Sequence, residues 1–165
     1  MPARKKPTAN PAPTPSPNSE THRGRRPPSP EAKGRVLVVE DDVPLSAVVE
    51  DVLTYEGYAV VGTARSAEEA ISMAVAHGPD LVLMDIRLLG NSDGITAAGQ
   101  ILKRTGIRCL IATGQTDAKT KERAALVQPL GWLPKPYGNE EVVQAVADAL
   151  RCKSASRARH RSSDN

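Results

Sequence analysis

The sequence predicts an α/β chain in which five parallel strands alternate with five helices, wound on both faces of one sheet. Three observations lead there. Val36–Val39, Leu81–Met84 and Cys109–Ala112 are apolar runs without alternation, the mark of strands covered on both faces. The segments between them carry helical apolar stripes. Gly, Pro and Asp/Asn clusters punctuate the boundaries.

Of the 165 residues, 39% are hydrophobic, low for a fully packed chain, so one domain with unpacked extensions is expected. Residues 1–34 hold nine prolines and a net charge of +5, with no apolar periodicity, and are expected to be a disordered tail. Residues 35–151 form the expected domain. Residues 152–165 are expected to be a second disordered basic tail, beyond a last helix ending near 150. The middle, 35–150, carries −6 and the segment 151–165 carries +4, so the acidic domain is flanked by basic ends. This argues against a compact basic nucleic-acid-binding domain. Two cysteines, Cys109 and Cys152, make no framework or metal-ligand spacing. With no apolar run long enough for a bilayer and no secretory signal, a reduced cytoplasmic setting is expected.

In order, the first strand is Arg35–Glu40, ending in Glu40-Asp41-Asp42. Three adjacent carboxylates repel one another and call for a cation or a helix N-terminus. Pro44 stands in a first helical turn. Leu45, Val48, Val49, Val52 and Leu53 then stripe a helix from about 44 to 56, stopped by Gly57. Ala59–Ala64 is a weaker strand containing Gly62. Ser66 and Glu69 form a capping box that opens a helix running to His77. Leu81–Asp85 is the central strand. A loop and a helix from about 94 to 104 follow it, closed by Gly106. Arg108–Thr113 is the fourth strand. A helix from about 117 to 127 has a thin apolar face of Ala118, Ala124, Ala125 and Leu126. Trp132–Tyr137 contains the fifth strand, which Pro134 confines to a sheet edge. The last helix, about 139 to 150, buries Val142, Val143, Val146 and Leu150. Right-handed crossovers with strand order 2-1-3-4-5, the flavodoxin-like arrangement, put the second and fifth strands at the edges.

In such sheets ligands bind beyond the carboxyl ends of the strands. Glu40 and Asp41, Asp85, Thr113 and Lys135 therefore converge. Asp85 taken alone reads equally well as the cap of the following turn. Taken together, three carboxylates suit a hard divalent cation that keeps several waters, such as Mg²⁺. Lys135 supplies a point charge for a phosphoryl oxygen and Thr113 a hydroxyl donor. The set fits in-line phosphoryl transfer to Asp85.

Val-Val-Glu-Asp-Asp at 38–42, Leu-Met-Asp at 83–85, Ala-Thr-Gly at 112–114 and Lys-Pro-Tyr at 135–137 resemble a response regulator receiver domain of two-component signalling, over about residues 35–150. The resemblance implies that Glu40, Asp41 and Asp85 bind Mg²⁺ with the backbone carbonyl of Arg87. It implies that Asp85 accepts phosphate from a sensor histidine kinase or histidine phosphotransfer protein. Thr113 would move toward the phosphate and Lys135 would pair with it. Trp132 would hold the switch-aromatic position, its alternative being plain packing on the fifth strand, and the Lys135–Pro136 bond would be cis. Leu89 replaces a frequent proline of the family. Gly114 resembles an Ala-Thr-Gly subgroup of single-domain regulators and should loosen the start of the fourth helix. Arg87 and Gln115 are candidates for setting the phosphoryl lifetime.

The expected function is a stand-alone phosphoacceptor rather than an enzyme, with no room for an output domain. It would signal to a downstream protein through the face made by the fourth helix, fifth strand and fifth helix. A phosphate sink, a non-phosphorylated scaffold and a nucleic-acid adaptor acting through the basic tails are the rivals. A homodimer stays open. A flavin or dinucleotide protein is disfavoured, because acids follow the first strand where a phosphate-cradling loop would be needed.

Overall fold

A computed structural model describes residues 32–88, 93–114 and 118–161, with side chains through Ser154. The expectations for the N-terminal tail before residue 32, for Leu89 and for Gln115 fall outside these residues. The elements are β1 (Arg35–Val39), α1 (Val43–Tyr55), β2 (Ala59–Ala64), α2 (Ala67–His77), β3 (Leu81–Asp85), α3 (Gly94–Thr105), β4 (Cys109–Thr113), α4 (Ala118–Ala125), β5 (Gly131–Pro134) and α5 (Asn139–Arg161). The five strands form one parallel sheet in the order β2-β1-β3-β4-β5. The expected fold class and strand order are both observed.

Side chains of a strand alternate between faces, so each unbroken apolar strand feeds two cores. Leu37, Val39, Val82, Met84, Cys109 and Ile111 pack with the small-residue faces of α2 and α3 and with Ala124 of α4. Val36, Val38, Leu81, Leu83, Leu110, Ala112 and Leu133 pack with α1 and α5 through Val49, Leu53, Val142, Val146 and Ala149. Two helices thus cover one face and three the other. A register shift between Val36 and Leu37 pairs Leu37 with Gly62 and leaves Val61 as the extra residue of a bulge in β2.

Local chemistry sets the helix ends. The Asp42, Ser66 and Asp93 side chains accept from the backbone N–H of Leu45, Glu69 and Thr96, capping α1, α2 and α3. The Glu69 carboxylate accepts the N–H of Arg65, the residue before the cap, at 2.8 Å, a variant of the expected box. Gly78 and Gly106 close α2 and α3 in the left-handed region.

The ends of α4 and α5 depart from the sequence expectation. Helix α4 ends at Ala125 and leaves Leu126 82% exposed, so Leu126 is not part of its buried face. Val127, just past the helix, packs on the core instead. Helix α5 does not stop near 150 but runs to Arg161, where a disordered tail was expected from 152. Its apolar stripe ends at Leu150, which is what the sequence registers. The added residues are nonetheless mainly Arg, Lys, Ala and Ser without Gly or Pro, so nothing local breaks the helix. Lys153 also ties the extension to the domain: its Nζ donates to the Asp80 carbonyl at 2.8 Å and to Asp80 Oδ1 at 3.0 Å.

Candidate functional site

The register of the sheet brings the polar strand ends to one place. Asp85 pairs with Ala112, so Thr113 stands one residue beyond it. Thr113 pairs with Pro134, and the Lys135 N–H donates to the Thr113 carbonyl at 2.9 Å. Glu40 follows the last residue of β1, and its N–H donates to the Ala64 carbonyl of β2 at 2.9 Å. Glu40, Asp85 and Thr113 are thereby fixed by strands whose apolar residues are almost fully buried, and Lys135 by the less covered edge strand β5.

Glu40, Asp85 and Thr113 are themselves buried, at 4%, 6% and 3% exposure. Buried carboxylates need partners. Lys135 supplies one for both acids: its Nζ lies 2.6 Å from Glu40 Oε2 and 2.6 Å from Asp85 Oδ2. Asp85 Oδ1 accepts the Arg87 N–H at 3.1 Å. The turn-capping reading of Asp85 and the ion-pair reading therefore hold together, one on each carboxylate oxygen. The run Glu40-Asp41-Asp42 divides in three. Glu40 goes to Lys135, Asp41 joins the acid cluster and Asp42 caps α1.

Burial pushes the Glu40 carboxyl above its ordinary range, against the Lys135 hydrogen bond that lowers it, and the nearby Asp85 charge adds to the rise. Burial draws the Lys135 ammonium the other way, but hydrogen bonds to Asp85 and Glu40 outweigh it and hold the group charged. Tyr137, packed beside them, has its phenol pushed up to about 12 by burial.

Oxygens of Glu40, Asp41 and Asp85 lie within 4.8 Å of one another, and the three residues could hold a metal ion. With Lys135 paired to two of the three, the acids keep a net negative charge, and an all-oxygen set of this kind fits a hard divalent cation such as Mg²⁺ better than a thiophilic one.

The Lys135–Pro136 bond is cis, as expected. Trp132 is half-buried and packs on the α2–α3 side of the sheet, opposite Leu133. Sequence reasoning missed Gly94. The Gly94 N–H donates to the Ile86 carbonyl at 2.9 Å, and a Cβ on Gly94 would stand 1.9 Å from the Asp85 carbonyl oxygen. The start of α3 thus presses on the backbone that carries Asp85, and only glycine fits there. The Asp93-Gly94 pair was visible in the sequence as loop punctuation, but its closeness to Asp85 was not.

The response regulator receiver domain family matches residues 36–147. The chain is 32% identical over 116 residues to the transcriptional regulatory protein PdtaR of Mycobacterium tuberculosis, covering 70% of this chain and 56% of that protein. It therefore spans little more than half the length of that relative. It is 34% identical over 122 residues to the chemotaxis protein CheY of Treponema pallidum, covering 71% of this chain and 83% of that one. Among solved structures it is similar to the signal receiver domain of a modulated diguanylate cyclase from Desulfovibrio desulfuricans, with TM-score 0.69 and 31% identity, over 74% of this chain and 98% of that one. A LuxR-family two-component response regulator from Aurantimonas superposes with TM-score 0.66 and 28% identity, over 72% of this chain and 85% of that one.

Proposed function

The chain belongs to the response regulator receiver family, and from that premise we propose that it accepts a phosphoryl group on Asp85 and signals through protein–protein contacts. The observation that carries this reading is the position of Lys135, bridging Asp85 and Glu40 at 2.6 Å each, beside an acid trio. A structural ion pair would need one carboxylate; two buried acids on one ammonium with a third acid beside them are otherwise costly.

In this reading an Asp85 carboxylate oxygen attacks the phosphorus of a phosphohistidine on a kinase or phosphotransfer protein. The new P–O bond forms as the P–N bond breaks, and the bonding pair leaves with the imidazole. Bound Mg²⁺ would supply charge neutralisation to the phosphoryl oxygens, held by Glu40, Asp41, Asp85 and the Arg87 backbone carbonyl. Lys135 loses an Asp85 oxygen as partner and gains a phosphoryl oxygen, with its stem fixed by β5. The Thr113 hydroxyl donates to another. Both residues end strands that lead directly toward α4 and α5, so a change in their partners is felt on the α4–β5–α5 face, where Trp132 stands. The domain is taken as residues 35–151, and the protein as a phosphoacceptor rather than an enzyme.

The test is labelling of the full chain by radioactive acetyl phosphate. Label that requires Mg²⁺ and is absent from Asp85→Asn supports the assignment. Equal labelling of that variant overturns it, and no labelling of the wild-type chain by acetyl phosphate or by any kinase favours a scaffold.

A further inference from the structure

A groove of 670 Å³ runs between the C-terminal half of α1 and the N-terminal half of α5. Asp51, Glu56 and Glu140 line it, together with Tyr55, Val52 and Val143, and no Lys, Arg or His is among its described lining residues. Tyr55 is 89% exposed, an unusual setting for an aromatic ring on a monomer surface.

The described chain begins at the mouth of this groove. The Lys33 N–H donates to the Gly57 carbonyl at 3.0 Å, its Nζ lies 3.9 Å from Glu56 Oε2, and it stands 5.7 Å from the centre of the Tyr58 ring. The backbone is thereby anchored beside Glu56, itself a groove residue. Upstream lies the basic cluster of the N-terminal segment nearest this anchor, Arg23-Gly24-Arg25-Arg26. Six residues separate Arg26 from Lys33, and the seven chain steps reach up to about 25 Å. The distance along α1 from Glu56 to Asp51 is under two helical turns, about 8 Å. The tether can therefore span α1 from Glu56 to Asp51 without leaving the anchor.

We infer that Arg23–Arg26 docks in cis on the acid-lined α1–α5 groove, with a guanidinium over Tyr55 and others on Asp51 and Glu140. The groove is negative and aromatic where the segment is positive and rich in planar cations, the pairing that guanidinium groups favour. A short tether gives an effective concentration on the order of millimolar, so an intrinsic Kd of about 1 mM already half-fills the groove. The docked segment then competes with any partner for Tyr55 and the α1–α5 face. This contact is independent of phosphorylation at Asp85.

The experiment compares backbone amide shifts of the full ¹⁵N-labelled chain with those of Arg23→Glu/Arg25→Glu/Arg26→Glu and of Asp51→Lys/Glu140→Lys. The tail variant is expected to shift the amides of Val52, Tyr55 and Gln144, and 0.5 M NaCl is expected to reproduce those shifts in the wild-type chain. Combining the two variants is expected to return Val52 and Tyr55 toward their wild-type positions. Groove amides unmoved by the tail variant overturn the inference. So do shifts that grow with protein concentration, which assign the contact to a second copy, and shifts that fall at Trp132 and the β5 edge instead.

Discussion

Glu40 and Asp85 are both buried, face one ammonium and stand close enough to share a cation. Lys135→Met removes the charge while keeping much of the stem. It leaves two buried acids opposed, and should cost about 2–3 kcal/mol in urea unfolding without divalent ions. Added Mg²⁺ should narrow that gap; an equal deficit with and without Mg²⁺ contradicts the shared site. Gly94 makes a second prediction. A methyl group there would overlap the Asp85 carbonyl, so Gly94→Ala should cost at least about 1–3 kcal/mol and weaken labelling of Asp85 without touching its side chain. Unchanged stability would mean that α3 can withdraw freely from β3. These residues also show what the sequence could reveal. Glu40, Asp41, Asp85, Thr113 and Lys135 were legible because each ends an apolar run, and parallel strands bring their ends together. Gly94 was not, because its role is a distance to a carbonyl that exists only once α3 has packed.

At the scale of elements, two ion pairs hold the parts that the apolar pattern leaves loose. Helix α4 buries only Ala124 within its length, and Arg123 joins it by a charged hydrogen bond to the cap residue of α3, Asp93. Burial acts to raise the Asp93 carboxyl, but Arg123 and the capped N–H of Thr96 outweigh it and depress the value. Exposed pairs contribute under about 1 kcal/mol, so Arg123→Ala should leave global stability almost unchanged. Amide exchange across Ala118–Ala125 should nevertheless quicken, because so little else opposes opening of α4. The extension of α5 depends in the same way on Lys153 and Asp80. Burial acts to raise the Asp80 carboxyl, yet its bonds to Lys153 and to the Arg35 N–H depress it below its ordinary 3.8. A depressed carboxyl stabilises the fold above the unfolded value and loses that contribution as pH falls through the folded one. Asp80→Asn should therefore lower the unfolding midpoint at pH 7 and match wild type once the pH is well below 3.8. A difference that persists in acid would place the effect elsewhere. No sequence pattern announced this pair, since 73 residues separate its members and the apolar stripe of α5 had already ended.

Across the whole molecule, the sheet order was legible because alternation of helical and strand signals admits few right-handed arrangements, and Pro134 fixes β5 at an edge. In the proposed function the same order puts the chemistry at one end of the central strands and the docking faces along the flanks. Mg²⁺ binding only to the folded chain should raise the unfolding free energy by about 2.7 kcal/mol at one hundred times Kd, and Glu40→Gln should abolish most of that gain. No helix among the described residues is long and apolar enough to cross a membrane. The identity of the acceptor atom is the claim on which the functional account rests, and one measurement reaches it directly. The chain is treated with acetyl phosphate and Mg²⁺, reduced with borohydride so that an aspartyl phosphate becomes homoserine, and digested with trypsin for sequencing by mass spectrometry. The account predicts homoserine at position 85, in the peptide Ser66–Arg87, and only when Mg²⁺ was present. Homoserine at position 41 or 80, or at 85 regardless of Mg²⁺, would contradict it.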